Sequence, residues 1–233
     1  MRILVTRPEG DAARSAEALR ARGHVVLLAP LLRIEPLACA FGGPFSAVLM
    51  TSANAAHAAS SHPRHAELIR LPAFTVGARS AAAARVAGFR QVESADGAVA
   101  ELVRRAAARL AGSRLLYLAG EDRAGDLAGE LVRHGIAVET AIIYRAVAAE
   151  RLPVAVVEAL AARQLDAVLH YSGRSALTLL RLAERARVLN AVLSLAHYCL
   201  SEEIAAALRA AGANHLRAAT VPTESALFAL ISD

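Results

Sequence analysis

The sequence predicts an α/β fold made of two similar doubly wound parallel-sheet domains, joined by a two-stranded extended linker that forms a double hinge. Three observations support this fold class. Strand and helix patterns alternate along nearly the whole 233-residue chain, which favours parallel sheets covered by helices on both faces. Three segments recur once each, in the same order, later in the chain. Two extended stretches interrupt the alternation.

The N-terminal elements begin the first domain. They are a strand, a helix ended by a glycine and a second strand, at residues 1–6, 9–23 and 24–30. Residues 31–37, LLRIEPL, then run extended because Pro30 and Pro36 restrict the backbone before each of them. We interpret this stretch as the first crossing between the domains.

The βα alternation continues in the block after this crossing. Strand patterns occur at residues 45–52, 73–77, 90–93 and 114–120. A helix pattern follows the first of these strands, and others occur at 78–88, 97–111 and 125–135. Residues 136–149 are too long for one buried strand, so we interpret their second half as the second crossing. The pattern then resumes with a helix near Pro153, strands at 166–172, 195–201 and 215–220, and helices at 175–192, 202–212 and 223–231.

The recurring segments predict how the chain is divided. Residues 16–26 resemble 128–138, residues 47–56 resemble 167–176, and residues 74–88 resemble 197–212. We therefore predict a discontinuous domain 1 (1–33 plus 148–233), an inserted domain 2 (37–144), and linkers at 34–36 and 145–147. A ligand is expected in a cleft between the domains, at the carboxyl ends of the parallel strands.

Composition excludes several classes of protein. All 26 basic residues are arginine, which excludes Schiff-base, pyridoxal and P-loop chemistry that requires lysine. The arginines are scattered and aromatic residues make up 4% of the chain, so no nucleic-acid site is predicted. No apolar run is long enough for a membrane span, and the N-terminus does not resemble a signal peptide. We expect a cytoplasmic protein with no membrane partner. Its net charge of +5 suits a small acidic ligand.

Standard cofactor and metal motifs are missing from the sequence. It contains no GxGxxG, and the GEDRAGD stretch has Asp126 where a P-loop needs lysine, so it is interpreted as a helix start. The histidines at positions 57, 62 and 65 are interpreted as part of a solvated turn, because no carboxylate or cysteine completes a metal site. Cys39 and Cys199 are expected to form neither a disulfide nor a zinc site.

Small and polar residues follow several of the predicted strands. At such junctions, backbone N–H groups at helix N-termini can bind carboxylates. The alternative is that these residues are ordinary helix caps. The candidate ligand-binding residues are Thr51, Ser52, Ala53, Asn54, Gly77, Ala78, Arg79, Ser80, Ala119, Gly120, Glu121 and Ser172. The junction at Glu202 and Glu203 is left out because two carboxylates would repel an anion.

The motifs ILVTRP, VLMTSANA, FTVGARSA, HGIAVETAIIYRAV, VLHYSGRSA and VPTESAL occur in this order. Because of these motifs and their order, the chain resembles the uroporphyrinogen-III synthases over its whole length. Two departures exist. Ser80 replaces the usual threonine, and residues 201–203 replace a Gly and hydroxyl pattern.

The resemblance implies an activity and a catalytic group. The family cyclises linear hydroxymethylbilane to uroporphyrinogen III, with inversion of ring D and loss of water, and uses no cofactor. Tyr144 matches the family's tyrosine and would donate a proton to the departing hydroxyl, although a tyrosine covering a strand edge is the alternative. Arg7 would pair with a substrate propionate, as could Arg79 and Arg145. The expected partner is a polycarboxylate tetrapyrrole bound to a monomer. A two-lobe polycarboxylate binding protein or sensor without catalysis, or a nucleic-acid-binding regulator, remains an alternative.

Overall fold

Two α/β units make up the chain in a computed structural model that describes residues 1–95, 97–123 and 125–231. One unit contains Met1–Arg33 and Val147–Asp233, and the other contains Ile34–Ala146. Residues 232–233, which end the predicted domain 1, lie outside the described residues, as does Ala124 of the GEDRAGD stretch.

The strands are β1 Arg2–Val5, β2 Val25–Leu28, β3 Leu32–Pro36, β4 Ala47–Met50, β5 Ala73–Thr75, β6 Val92–Ser94, β7 Arg114–Gly120, β8 Ala137–Ala148, β9 Ala167–His170, β10 Ala196–Cys199 and β11 Leu216–Ala218. The helices are α1 Glu9–Arg20, α2 Ala53–Ser60, α3 His65–Leu68, α4 Ala78–Val86, α5 Val99–Leu110, α6 Leu127–Arg133, α7 Val154–Ala161, α8 Gly173–Arg185, α9 Leu189–Leu193, α10 Glu202–Ala210 and α11 Glu224–Ala229. The βα alternation predicted from the sequence is therefore present in both units.

The discontinuous unit contains a five-stranded sheet in the order β11-β10-β9-β1-β2, in which every pair is parallel. Its central strands are apolar on both faces. Ile3 and Val5 pack in one core cluster, while Leu4 between them packs in the other. Helices cover both faces, as a parallel sheet requires.

The inserted unit contains a six-stranded sheet in the order β3-β8-β7-β4-β5-β6. The pairs from β8 to β6 are parallel. Strand β4 is buried throughout, with Ala47 and Leu49 in one core cluster and Val48 and Met50 in the other. The predicted fold class of two mainly parallel α/β sheets is confirmed.

Both extended crossings predicted from the sequence are β-strands, β3 and β8, and they neighbour each other in the sheet. The Leu37 N–H donates to the Ile143 carbonyl over 2.8 Å, and the Ala149 N–H donates to the Leu31 carbonyl over 2.9 Å. These two hydrogen bonds show that the strands run in opposite directions. Residues 137–148 form one continuous strand, and the boundary between the units, at Ala146 and Val147, falls within its second half, where the second crossing was predicted. Only Ala141 and Ile143 are buried in β8. A strand of this length is possible because most of it does not have to lie in a sheet covered on both faces.

The predicted turn is present at residues 61–64 and His57 is exposed, but His62 and His65 are half-buried and are not simply solvated. His62 Nε2 lies 2.9 Å from the Cys39 carbonyl oxygen, and His65 Nε2 lies 2.7 Å from the Ala87 carbonyl oxygen. His65 begins the short helix α3. These imidazoles are held by the backbone of neighbouring segments, which the local sequence pattern does not reveal.

Among the described residues, no helix is long and apolar enough to cross a membrane. No group of three or more His, Cys, Asp or Glu side chains in that part of the chain could hold a metal ion. Cys39 and Cys199 are free thiols.

Candidate functional site

The site in the inserted unit is formed at the carboxyl ends of β4 and β7 and at the part of β8 that pairs with the end of β7; these strands are adjacent in the sheet. Parallel strands end at the same edge of a sheet, so the residues that follow them meet there. Thr51 and Ser52 follow β4, Gly120 ends β7, and Tyr144 lies in β8 directly across from Gly120. Sheet order thus brings together four residues from three segments that are far apart in sequence.

Hydroxyl groups meet at this edge. Thr51 Oγ1 lies 3.0 Å from the hydroxyl of Tyr117, a buried residue of β7. The Ser52 hydroxyl lowers the pKa of the Tyr144 phenol by hydrogen bonding to it. Ser52 is also the N-cap of α2 and accepts a hydrogen bond from the Asn54 N–H over 3.2 Å. The Ser52 side chain therefore both caps α2 and interacts with Tyr144.

Tyr144 is a half-buried phenol whose charged form is disfavoured. Burial raises the pKa of Tyr144 above its ordinary value, and the nearby Tyr117 phenol and Asp122 carboxylate raise that pKa further. The hydrogen bond from Ser52 acts in the opposite direction and lowers the pKa. The phenol consequently holds its proton at neutral pH and can donate it in a hydrogen bond.

The remaining predicted residues of this unit differ in accessibility. Ala78 and Arg79 are exposed at the start of α4, and Gly77, the N-cap of that helix, is half-buried. Ser80 is buried on the inner face of the same helix. Of the residues after β4, Ala53 is buried and Asn54 is half-buried.

Part of the carboxyl end of β7 is already hydrogen-bonded within the protein. Ala119 and Gly120 are buried, whereas the Glu121 side chain is exposed. The Glu121 N–H donates to the Tyr144 carbonyl over 2.9 Å. This amide, which the sequence analysis offered to a substrate carboxylate, is already engaged within the sheet.

In the discontinuous unit, Arg7 follows β1 and its side chain is 9% exposed. Its guanidinium donates to Ser15 Oγ over 2.9 Å and to Glu224 Oε1 over 2.6 Å, and it stacks 4.0 Å from the ring centroid of Tyr171. A third acceptor, Asp11 Oδ2, lies 3.3 Å away. Arg7 thus lies at a strand end, and its guanidinium already forms ion pairs with two carboxylates of the protein.

Glu224 is a residue that the sequence analysis missed. Its Oε1 also accepts hydrogen bonds from the Ser15 hydroxyl over 2.5 Å and the Tyr171 hydroxyl over 2.9 Å. The signal was available, because a buried arginine needs a carboxylate and the VPTESAL motif that the analysis quoted contains Glu224.

Ser172 lies beside a cavity of about 680 Å³ in this unit. It is the N-cap of α8 and accepts a hydrogen bond from the Ser175 N–H over 3.2 Å. The cavity lies at the N-terminal ends of α8 and α10, and its polar and charged lining includes Ser172, Arg174, Arg181, Ser201 and Glu203. Glu203 brings negative charge to the α10 end, as expected from the sequence.

Comparisons with known proteins identify the family to which the chain belongs. The family model described as uroporphyrinogen-III synthase HemD matches residues 13–229. A search of curated protein sequences found no significant match. The chain is therefore a two-unit α/β enzyme of the tetrapyrrole pathway, and it belongs to the uroporphyrinogen-III synthase family.

Solved structures agree with the family assignment at the level of the fold. The chain is similar to uroporphyrinogen-III synthetase from Helicobacter pylori, with a TM-score of 0.69, 18% identity, and coverage of 100% of this chain and 99% of that one. It is also similar to a mutant uroporphyrinogen III synthase from the extremely thermophilic bacterium Thermus thermophilus, with a TM-score of 0.54, 16% identity, and coverage of 100% and 96%.

Family membership confirms the main functional prediction. The protein is a cyclising lyase that acts on the linear tetrapyrrole hydroxymethylbilane in heme biosynthesis. The alternative of a two-lobe binding protein without catalysis is accordingly set aside. The individual site residues remain predictions.

Proposed function

We propose that Tyr144 is the general acid of the cyclisation. Loss of the hydroxyl from the ring A carbon would give an azafulvene. The substituted carbon of ring D would then attack that carbon to form a spiro pyrrolenine, and fragmentation followed by closure the other way would leave ring D inverted. Tyr144 would protonate the departing hydroxyl so that it leaves as water. A carbon-bound proton of ring D, lost at the final closure, would balance the one taken from the phenol.

One observation carries this proposal: the phenol of Tyr144 lies over Gly120 at the carboxyl end of β7, and the carboxyl end of the neighbouring strand β4 is beside it in the sheet. The phenol is protonated at neutral pH, so it can donate a hydrogen bond and a proton to the departing hydroxyl. The rest of the task is positioning, because correct placement of reacting groups can lower a barrier by about 7–11 kcal/mol.

We also propose that the strand-end residues bind the substrate's carboxylates. The proposed set is Arg7, Thr51, Ser52, Ala53, Asn54, Gly77, Ala78, Arg79, Ser80, Ala119, Gly120 and Ser172; Glu121 is left out because its amide bonds the Tyr144 carbonyl. The capped ends of α2 and α8 support this role, since their first N–H groups carry partial positive charge. The Arg7 assignment requires a substrate propionate to exchange with Glu224, which now occupies the guanidinium.

The functional domains proposed are 1–33 plus 148–233 and 37–144, with linkers at 34–36 and 145–147. We propose a cytoplasmic monomer that does not bind nucleic acid. Light scattering should give the mass of one 24.3 kDa chain. Retention on a DNA column that falls steeply with salt would contradict the proposal that the protein does not bind nucleic acid.

Replacing Tyr144 with phenylalanine tests the catalytic assignment. Tyr144→Phe should keep KM nearly unchanged and lower kcat at least ~10-fold, because the ring remains and only the proton donor is lost. The measurement is single-turnover conversion of hydroxymethylbilane, with separation of product isomers I and III.

Tyr198→Phe is the matched control, since it removes another phenol hydroxyl from a buried tyrosine, on β10. It should leave kcat within about twofold of the parent enzyme. An unchanged kcat in Tyr144→Phe would remove the assignment of Tyr144 as the acid.

A further inference from the structure

We propose that Gly120 and Ser52 are positioning residues for Tyr144. Gly120 makes room for the phenol ring, and the Ser52 hydroxyl donates to the phenol oxygen, which leaves the phenol proton free to face the substrate. This inference deepens the proposed function and rests on it, because a positioned phenol matters for the rate only if Tyr144 takes part in the reaction.

The first argument is the close approach of the Tyr144 ring to Gly120. A Cβ atom added at Gly120 would lie 2.6 Å from Tyr144 Cζ and 2.8 Å from both Cε2 and the phenol oxygen. Real Cβ atoms essentially never approach heavy atoms this closely. The obstacle is the aromatic ring itself, so any side chain at this position would displace the phenol.

Backbone conformation does not explain the glycine. Eight glycines in the described part of the chain have a positive φ, and Gly120 is not one of them. An alanine could therefore adopt the backbone conformation of Gly120 without strain. The space taken by the Tyr144 ring is the physical reason for a glycine here.

The second argument is an irregularity in the pairing of β7 with β8. Ala119 is opposite Ile142, but Gly120 is opposite Tyr144, so Ile143 is the extra residue of a bulge. In a regular strand, residues 142 and 144 would face the same side. Here Ile142 packs against one core cluster, and Ile143 and Tyr144 both pack with the other. The bulge thus turns Tyr144 over Gly120, and the hydrogen bond from the Glu121 N–H to the Tyr144 carbonyl fixes it there.

The third argument is that Ser52 is itself held in place. Its hydroxyl oxygen accepts from the Asn54 N–H, and the preceding residue, Thr51, bonds the buried Tyr117 hydroxyl. A side chain with these restraints presents its hydroxyl to Tyr144 in one direction. Orientation matters because an acid must lie about 2.6–3.2 Å from the atom it protonates, and a misplacement of about 1 Å can cost about 10²-fold in rate.

Gly120→Ala should lower kcat by about 10–100-fold while KM changes much less, because the ring is moved from its position. In the Tyr144→Phe background the same change should cause no further loss, since no proton donor remains to be displaced. Gly42→Ala is the control in the same unit. A Cβ there meets nothing within 4 Å, and no positive φ is involved.

Ser52→Ala provides a second variant that avoids a steric clash. It should lower kcat about tenfold, and Ser52→Thr should restore the rate by returning the hydroxyl. Ultraviolet titration gives a readout independent of turnover, with the phenol signal of Tyr144 taken as the difference from Tyr144→Phe. Loss of the Ser52 hydrogen bond should raise the pKa of Tyr144 and move its titration to higher pH.

The outcomes separate the two proposals. If Ser52→Ala and Gly120→Ala change neither the Tyr144 titration nor kcat, the positioning role is overturned. If the titration shifts but Tyr144→Phe retains full activity, the contacts stand and the acid assignment fails. If both changes lower activity equally in the parent enzyme and in the Tyr144→Phe variant, they act on something other than Tyr144 and the positioning role is again overturned.

Discussion

At the scale of single residues, Arg7 and Glu224 show how a buried charge is compensated. Glu224 Oε1 accepts hydrogen bonds from Arg7, Ser15 and Tyr171. Burial raises the pKa of the Tyr171 phenol, so this group stays a donor. The cluster joins the end of β1, helix α1, the end of β9 and the start of α11. Its integrity therefore bears on the position of Ser172, the residue after Tyr171.

Removing the Glu224 carboxylate should destabilise the protein. Glu224→Ala should lower the free energy of unfolding by about 1.5–3 kcal/mol, because the Arg7 guanidinium loses a charge-assisted partner. The larger values measured for fully buried pairs are not expected, since the Glu224 side chain is 39% exposed. Glu224→Gln should lose less, because it keeps an acceptor oxygen.

Urea unfolding of these variants measures the effect. Glu17→Gln on α1 is the control, since this side chain is exposed, and it should stay within about 0.5 kcal/mol of the parent. Equal stabilities of Glu224→Ala and Glu17→Gln would show that the cluster contributes nothing to folding.

At the scale of elements, neighbouring strands β9 and β10 bury a pair of histidines. His170 Nε2 lies 2.9 Å from His197 Nδ1, and His197 Nε2 lies 3.1 Å from the Val192 carbonyl oxygen. Burial lowers the pKa of His170 to about 3, with the neighbouring His197 adding to the effect. Burial also lowers the pKa of His197 to about 4. Both imidazoles are neutral in the folded protein over most of the acid range.

This pair predicts a loss of stability in mild acid. Below a pH of about 6.5 the unfolded chain binds protons that the folded pair does not, so unfolding is favoured by up to about 1.4 kcal/mol per pH unit for each histidine. The loss continues until the pH approaches the lowered pKa values of the folded pair, where the folded protein also binds these protons. Above a pH of about 6.5 both states are neutral and the pair contributes no pH dependence.

Urea unfolding at about pH 5, 6 and 7 tests the expectation. His170→Gln should remove about half of the slope, since it leaves one buried histidine and retains a donor for His197 Nδ1. His134→Gln, at an exposed histidine, should leave the slope unchanged. A slope that is identical in His170→Gln and the parent protein would contradict the role of the pair.

At the scale of the whole molecule, the two units share one strand order. The order β2-β1-β9-β10-β11 in the discontinuous unit corresponds to β8-β7-β4-β5-β6 in the inserted unit. The recurring segments occupy matching places: β4 with α2 matches β9 with α8, and each helix begins at a serine cap, Ser52 and Ser172. This agreement supports the duplication inferred from the sequence.

The net charge of +5 predicts a salt effect on substrate capture. Exposed charges separated by more than about 10 Å are screened at about 0.1 M salt, so attraction of a polycarboxylate weakens as salt rises. Between ~20 and ~500 mM NaCl, kcat/KM should fall about tenfold while kcat changes little. Steady-state kinetics across this range provide the measurement. A flat kcat/KM would show that long-range charge plays no part in binding.

Local pattern was enough to predict several features of this protein. Alternating apolar runs predicted the βα repeat, because parallel strands are apolar on both faces, and prolines predicted the first crossing. Ordered motifs predicted the family. Tyr144 could be chosen on the motif alone, and its position in β8 agrees with the predicted second crossing.

Only the tertiary structure decided which residues meet. The bulge that turns Tyr144 over Gly120, the partners of Arg7 and the buried pair of His170 and His197 all depend on contacts between segments distant in sequence. A strand's periodicity tells which residues are apolar, but not which partner lies opposite or where its register slips. The sequence therefore determined the elements and the chemistry available, and packing between strands determined the orientation of each side chain at the site.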